Sequence, residues 1–205
     1  EWLEHPIVYS GVWLTPHFWV NGAVMFFVKD LFLAATLTNV IFSTFTLYYF
    51  YKISINVFDK KTAVLSSLIF ALFPFQVWLS LSGLPESVHF FFIIAGIYYS
   101  LLYKKNNGRI TDLILATVMF MFGNMFRYEG WLFCIVFVTY IFYLEIVMKK
   151  NRQKNYFPLI VSAFSLLTIV WWLIQNYIDH GSFTYFASET NKIFEDYGGI
   201  KVLQK

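Results

Sequence analysis

The sequence predicts an all-α polytopic membrane protein with about six transmembrane helices and one interfacial helix. Its 205 residues are 59% hydrophobic and only 13% charged, whereas a soluble domain carries about 25% charged residues. Too few charges are present to cover a water-facing globule, which also excludes a disordered chain and a nucleic-acid-binding arm. The apolar residues form blocks near the 20-residue length of a membrane helix, separated by short charged loops. A single cysteine, Cys134, excludes an internal disulfide framework and a cysteine-rich zinc site.

Six apolar blocks are predicted to cross the membrane. They are 31–51, 62–81, 88–103, 110–126, 131–148 and 156–178. The second contains Pro74, and the third is short enough that we expect it to borrow residues from the preceding turn. The apolar stretch 16–28 is too short to cross, and we expect it to lie along the membrane, with Trp13, Phe18 and Trp19 at the headgroup level.

The charges between the blocks alternate between two sets of loops. Ten of the fifteen basic residues lie in one set: Lys52, Lys60, Lys61, Lys104, Lys105, Arg109, Lys149, Lys150, Arg152 and Lys154. Nine of the twelve acidic residues fall on the opposite side. Because lysine and arginine concentrate in cytoplasmic loops, both chain ends are predicted to be non-cytoplasmic. The membrane would be the plasma membrane in a prokaryote and the endoplasmic reticulum in a eukaryote.

Residues 1–181 are predicted to form one transmembrane domain, and 182–205 the start of an external loop. The chain begins at Glu1 without a visible targeting sequence, although its first residues are predicted to be external. We therefore expect a fragment that lacks at least one upstream membrane helix and continues beyond its last residue.

Candidate functional residues lie in the acidic set of loops. His17, beside Trp13, could donate to a lipid phosphate or simply belong to an interfacial aromatic belt. Glu86, the candidate catalytic residue, follows Pro85 at a helix start. There it could hold a sugar hydroxyl, a metal or a general-base water, or only complement the helix dipole. His89 lies three residues later, so the two could ligate a divalent cation such as Mg²⁺ or Mn²⁺, although two ligands predict no metal site.

Arg127 and Glu129 form a second candidate pair between two apolar blocks. Arg127 could clamp a phosphate, or both residues could form a local ion pair in a solvated turn. His180 ends an aromatic stretch at the last predicted helix, where a membrane-interface belt is the alternative interpretation. Cys134 lies in the middle of a block and is expected to be an inert buried thiol.

Four stretches, in order and sidedness, carry a resemblance to a known family. They are Gly-Val-Trp-Leu-Thr-Pro-His-Phe at 11–18, Phe-Asp-Lys-Lys-Thr-Ala at 58–63, Ala-Leu-Phe-Pro at 71–74 with the acidic loop 80–86, and the aromatic helix ending 171–181. Together they resemble the GT-C membrane glycosyltransferases, in the branch that holds the protein O-mannosyltransferases and the lipid A aminoarabinose transferases. The resemblance covers roughly residues 11–186.

The resemblance implies transfer of a sugar from a polyprenyl-phosphate donor to a glycan, lipid or protein acceptor outside the cytoplasm. It maps an acidic-loop role onto Glu86 and phosphate handling onto His17 and Arg127, with Glu129, Trp13 and His180 as further substrate contacts. The family's general base lies in the first outer loop, shortly after the first helix; Glu1 and Glu4 are candidates only by location. We therefore expect this fragment to be inactive alone.

Two other classes remain open from the residues themselves. One is a permease or lipid flippase; the other is a non-catalytic membrane scaffold. Ionisable groups are almost absent from the apolar blocks, with Glu145 near a helix end, which lowers the expectation of a proton-coupled pump or an ion channel. Membrane lipids are expected partners in every case, and nucleic acid in none.

Overall fold

The computed structural model describes residues 14–148 and 156–196. The described part is helical and contains no strand, which confirms the all-α prediction. Pro16–Thr168 form one compact unit, and the described residues of a second unit are 14–15 and 169–196.

Ten α-helices follow one another along the described residues. They are α1 (Pro16–Met25), α2 (Leu31–Val57), α3 (Lys60–Leu72), α4 (Pro74–Leu81), α5 (Glu86–Lys105), α6 (Ile110–Gly123), α7 (Glu129–Phe142), α8 (Phe157–Ala163), α9 (Leu167–His180) and α10 (Tyr185–Asp196). A π-helical turn, Tyr143–Met148, extends α7, and a 3₁₀ turn, Phe164–Leu166, joins α8 to α9.

Within residues 14–148 and 156–196, four helical segments are long and apolar enough to cross a membrane. They are α2, α5, α7 with its π-helical turn, and α8 with α9; the bent pair α3 and α4 makes a fifth if it is one span. The fourth predicted block, 110–126, forms the 14-residue helix α6. At 1.5 Å per residue α6 is about 21 Å long, short of the ~30 Å hydrocarbon core. The structure therefore confirms a multi-pass membrane protein with four or five full-length spans.

Several predicted boundaries shift in the structure. The first block continues six residues past its predicted end, because Lys52 and Asn56 remain helical: Asn56 Nδ2 donates to the Lys52 carbonyl at 2.7 Å. The third block does extend into the preceding turn, beginning at Glu86. The helix predicted along the membrane ends at Met25, three residues early.

Pro74 divides the second predicted span into two helices. Proline lacks an amide hydrogen and disfavours a helical conformation in the residue before it. Phe73 accordingly adopts an extended backbone, with φ −64° and ψ 122°. The two helices meet at 57°. The other end of α3 begins at Asp59, whose carboxylate caps the amide of Lys61, and this accounts for the acid in that basic loop.

The core of the larger unit lies where α5, α6 and α7 meet. Phe120, Cys134, Phe137 and Ile141 are among its buried residues. Two glycines permit the close approach of α5 and α6. A Cβ on Gly96 would lie 3.0 Å from the Phe120 ring, and a Cβ on Gly123 would lie 2.9 Å from Ile93 Cδ1. The contact between α5 and α6 is therefore too tight for a side chain at either glycine.

Gly96→Val is expected to destabilise the protein by about 1–3 kcal/mol, because the added methyl groups must displace the buried Phe120 ring. Thermal unfolding in detergent micelles measures the effect. Gly22→Val is the matched control, since a Cβ there meets nothing within 4 Å. Equal stability of the two variants would contradict the close packing.

Candidate functional site

Two turns meet at one end of the larger unit. The Glu86 turn, residues 82–86, joins α4 to α5, and the Arg127 turn, residues 124–128, joins α6 to α7. Because α5 is about 30 Å long, the Glu86 turn lies a full membrane thickness from Lys105 at the other end of that helix. The helix directions therefore place Glu86, Arg127 and Glu129 at the end of the larger unit opposite Lys104 and Lys105.

Three charged side chains join the two turns. Arg127 Nη1 donates to Glu86 Oε1 at 2.6 Å. The same guanidinium forms a two-point contact with Glu129, from Nε to Oε2 at 3.1 Å and from Nη2 to Oε1 at 2.8 Å. We call Glu86, Arg127 and Glu129 the charged triad. It brings together three of the predicted site residues, from segments about 40 residues apart.

The charged triad carries one more negative than positive charge. The hydrogen bonds to Glu129 raise the pKa of Arg127, so its guanidinium stays cationic. Its three contacts use three of the five guanidinium N–H groups. The carboxylates differ in exposure, at 22% for the Glu86 side chain and 62% for Glu129. Glu86 Oε2 is buried and bonds to no described group. The triad thus contains a buried acceptor, Glu86 Oε2, beside the Arg127 cation, whose charge is balanced by two carboxylates.

His17 lies against the Glu86 turn. Its Nε2 donates to the Gly83 carbonyl at 3.0 Å, and the Asn21 amide lies 3.1 Å from the same nitrogen. Burial lowers the pKa of His17 below the ordinary value of 6.5, against the opposing effects of the Gly83 bond and the Glu86 charge. The neutral ring therefore keeps its proton on Nε2, and Nδ1 is a buried acceptor without a described partner. In this arrangement the hydrogen bond to Gly83 occupies the donor of His17.

His89 connects α5 to the end of α6. Its Nδ1 donates to the Gly123 carbonyl at 3.0 Å, one residue before the Arg127 turn, and its side chain is buried. This bond leaves only one ring nitrogen for any metal shared with Glu86. Among the described residues, no group of three or more histidine, cysteine or acidic side chains could hold a metal ion.

Two buried asparagines hold the Glu86 turn and the Arg127 turn in position through hydrogen bonds to backbone carbonyls. Asn39 Nδ2, in α2, donates to the carbonyls of Leu79 at 3.1 Å and Leu84 at 3.0 Å. Asn124 Nδ2 donates to the Ser165 carbonyl at 2.9 Å, tying the Arg127 turn to the 3₁₀ turn between α8 and α9. Each hydrogen bond of this kind between membrane helices contributes about 0.6 kcal/mol on average, and up to about 1.7. The asparagines therefore contribute chiefly by fixing position.

The remaining predicted residues lie elsewhere. Trp13 falls outside the described residues. His180 ends α9 in the second unit, where its ring stacks on Tyr185 with centroids 3.8 Å apart. Its role as a substrate contact stays a prediction.

The structural roles of Asn39, His89 and Asn124 were not predicted from the sequence. The available signal was weak: a lone amide in an apolar block is costly unless it has a partner. The partners are backbone carbonyls of other helices, and no residue pattern marks those.

A comparison with protein families then identifies the chain. The family model described as dolichyl-phosphate-mannose-protein mannosyltransferase matches residues 15–174. The chain belongs to this family. A comparison with curated proteins and one with solved structures each returned no match.

Membership of the mannosyltransferase family confirms the resemblance seen in the sequence. The match includes α1 to α8 and most of α9. It therefore includes every residue of the charged triad, together with Asn39, His89 and Asn124. The molecule is a membrane glycosyltransferase of the mannosyltransferase type at the level of the family.

The stability of this mannosyltransferase-family protein is expected to fall between pH 7 and pH 5, in part through His17. Its pKa is lower in the folded state than in the unfolded state, so folding favours the neutral ring. Stability from this group is complete above the unfolded pKa and is lost as the pH falls, by at most about 1.4 kcal/mol per pH unit.

Unfolding in detergent, measured across this pH range, tests the expectation. His17→Gln keeps an amide donor for Gly83 but cannot titrate, so its stability should depend less steeply on pH. Identical slopes for the two proteins would show that His17 does not contribute.

Proposed function

We propose that the protein transfers a sugar from a polyprenyl-phosphate donor to an acceptor on the non-cytoplasmic face of the membrane. The charged triad is the observation that supports this most strongly. It places a partly buried carboxylate and a permanent cation together at the helix ends opposite Lys104 and Lys105. A lipid-linked sugar phosphate carries hydroxyls for the carboxylate and an anion for the cation, both held at the membrane surface. Family membership supports a donor of this class.

The proposed reaction is a displacement at the anomeric carbon of the sugar. The acceptor oxygen forms a bond to that carbon and gives its proton to a carboxylate base. The bond from the same carbon to the phosphate oxygen breaks, and the polyprenyl phosphate leaves with the electron pair. Charge therefore builds on the phosphate, where a preorganised cation stabilises the transition state. Arg127 supplies the cation, and the Glu86 carboxylate, whose side chain is 22% exposed, accepts a hydrogen bond from a sugar hydroxyl.

Arg127 reaches the phosphate by exchanging one carboxylate for it. Glu129 is the partner that yields, because its side chain is 62% exposed and an exposed ion pair contributes about 0–1 kcal/mol. Glu86 is less exposed and stays bound to Nη1. The phosphate then occupies the two-point position at Nε and Nη2, where an arginine binds two oxygens of a carboxylate or a phosphate.

Glu86→Gln in the full-length protein is expected to lower kcat for sugar transfer about 100-fold, the usual effect of removing one preorganised electrostatic contact. Folding should persist, because the glutamine oxygen can still accept from Arg127. Transfer from a radiolabelled polyprenyl-phosphate sugar in vesicles measures the rate. Asp30→Asn, a cap substitution at the exposed start of α2, is the matched control. Turnover equal to that control would remove Glu86 from the site.

Arg127→Ala should raise the KM for the donor at least about tenfold, the loss expected for a hydrogen bond to a charged group. Glu129→Gln should instead lower this KM about two- to fivefold, because the phosphate no longer competes with a carboxylate. Initial rates at varied donor concentration give both values. Glu189→Gln, which breaks an exposed pair with Lys192, is the control. A higher KM in Glu129→Gln would show that Glu129 binds substrate directly.

A permease or lipid flippase is the second candidate, and the broken span favours it. Transporters commonly bind substrates at discontinuous helices, and a cavity of about 150 Å³ lies between α2 and the break at Pro74. Its polar lining includes Ser43, Gln76 and Ser80. Movement of a lipid-linked sugar across vesicles without cleavage of its phosphate bond would support this candidate over the transferase.

A further inference from the structure

We propose that Asn39 is a positioning residue that holds the Glu86 carboxylate where it contacts the sugar. The inference rests on the proposed function, in which Glu86 contacts the sugar. Asn39 lies on α2 and has no exposed surface. Among the described hydrogen bonds it contacts no member of the charged triad, so it acts through the turn alone.

The amide of Asn39 closes the Glu86 turn at both sides. Its two hydrogens are both used, one on the Leu79 carbonyl at the end of α4 and one on the Leu84 carbonyl just before α5. Ser87 Oγ donates to the Leu79 carbonyl as well, at 3.0 Å. One side chain therefore joins the last turn of α4 to the first turn of α5.

The turn has little freedom once these bonds form. Gly83 adopts a positive φ of 71°, and a Cβ there would lie 3.1 Å from the Cβ of Ala35, one turn before Asn39 on α2. His17 takes the Gly83 carbonyl, and Pro85 fixes the backbone immediately before Glu86. The backbone at Glu86 is thus held relative to α2.

Arg127 has a support that does not pass through Asn39. Asn124 donates to the Ser165 carbonyl and so holds the Arg127 turn against the 3₁₀ turn between α8 and α9. Loss of the Asn39 bonds should therefore move Glu86 while the phosphate-binding cation stays in place. A displacement of about 1 Å at a reacting centre lowers rates about 100-fold, whereas donor affinity depends mainly on Arg127.

Asn39→Asp is the sharpest variant, because it keeps the shape of the side chain and leaves at most one donor hydrogen for the two carbonyls. In the full-length protein, transfer from a polyprenyl-phosphate sugar should show a kcat at least tenfold lower with a donor KM within twofold of wild type. Asn56→Asp is the control: it makes the same change on the same helix, where the amide donates only to Lys52 of its own helix. A kcat for Asn39→Asp within twofold of this control would overturn the proposal.

A double substitution separates positioning from a general loss of structure. In a Glu86→Gln background, Asn39→Asp should lower kcat less than twofold further, because its effect passes through the carboxylate that is already gone. A further tenfold loss in that background would assign Asn39 to overall folding and overturn its positioning role.

Ser87→Ala covers the case in which Asn39→Asp does not fold. It removes one bond to the same Leu79 carbonyl and should lower kcat at least threefold, again only when Glu86 is present. An unchanged kcat would overturn the proposal. If Glu86→Gln lowers transfer but neither Asn39→Asp nor Ser87→Ala does, only the positioning role fails. If the wild-type protein transfers no sugar from this donor, the proposed function fails with it.

Discussion

Backbone groups freed at the ends and breaks of membrane helices have no water to bond, and this requirement organises the polar end of the molecule. A carbonyl left without a donor in hydrocarbon costs several kcal/mol. Asn39, His89 and Asn124 meet the need by donating to carbonyls of neighbouring helices. Each bond satisfies an acceptor and also fixes one helix end against another. These hydrogen bonds fix the positions of the Glu86 turn and the Arg127 turn.

The charged triad depends on that arrangement. Arg127 meets Glu86 at 2.6 Å because the two turns are held side by side, although 41 residues separate them along the chain. With two carboxylates around one guanidinium, the site is poor in free positive charge and rich in acceptors. Such a site can accept hydrogen bonds from the hydroxyls of a sugar without any rearrangement of the charged triad. A phosphate can enter it only by replacing the more exposed carboxylate, which makes exchange at Arg127 part of the proposed donor binding.

Much of the fold could be predicted from hydrophobic patterning, and the errors have physical causes. All six apolar blocks are helical, in order, and the family match extends from 15 to 174. The break at Pro74 replaced one predicted helix by two, since proline removes an amide hydrogen and restricts Phe73. The predicted end of α2 is six residues too early because the prediction assigns Lys52 to a loop, whereas a lysine at the membrane edge can remain helical while its charge reaches water.

Composition and local pattern are enough to predict the membrane class, the order of the helices, the separation of acidic from basic loops and the resemblance to glycosyltransferases. None of these requires knowledge of contacts. Three features are visible only in the folded molecule: Arg127 bonds to Glu86 as well as Glu129, the donor of His17 is occupied by Gly83, and Asn39 holds the Glu86 turn. Those are contacts between segments far apart in the chain, and their backbone acceptors carry no residue identity that a sequence could reveal.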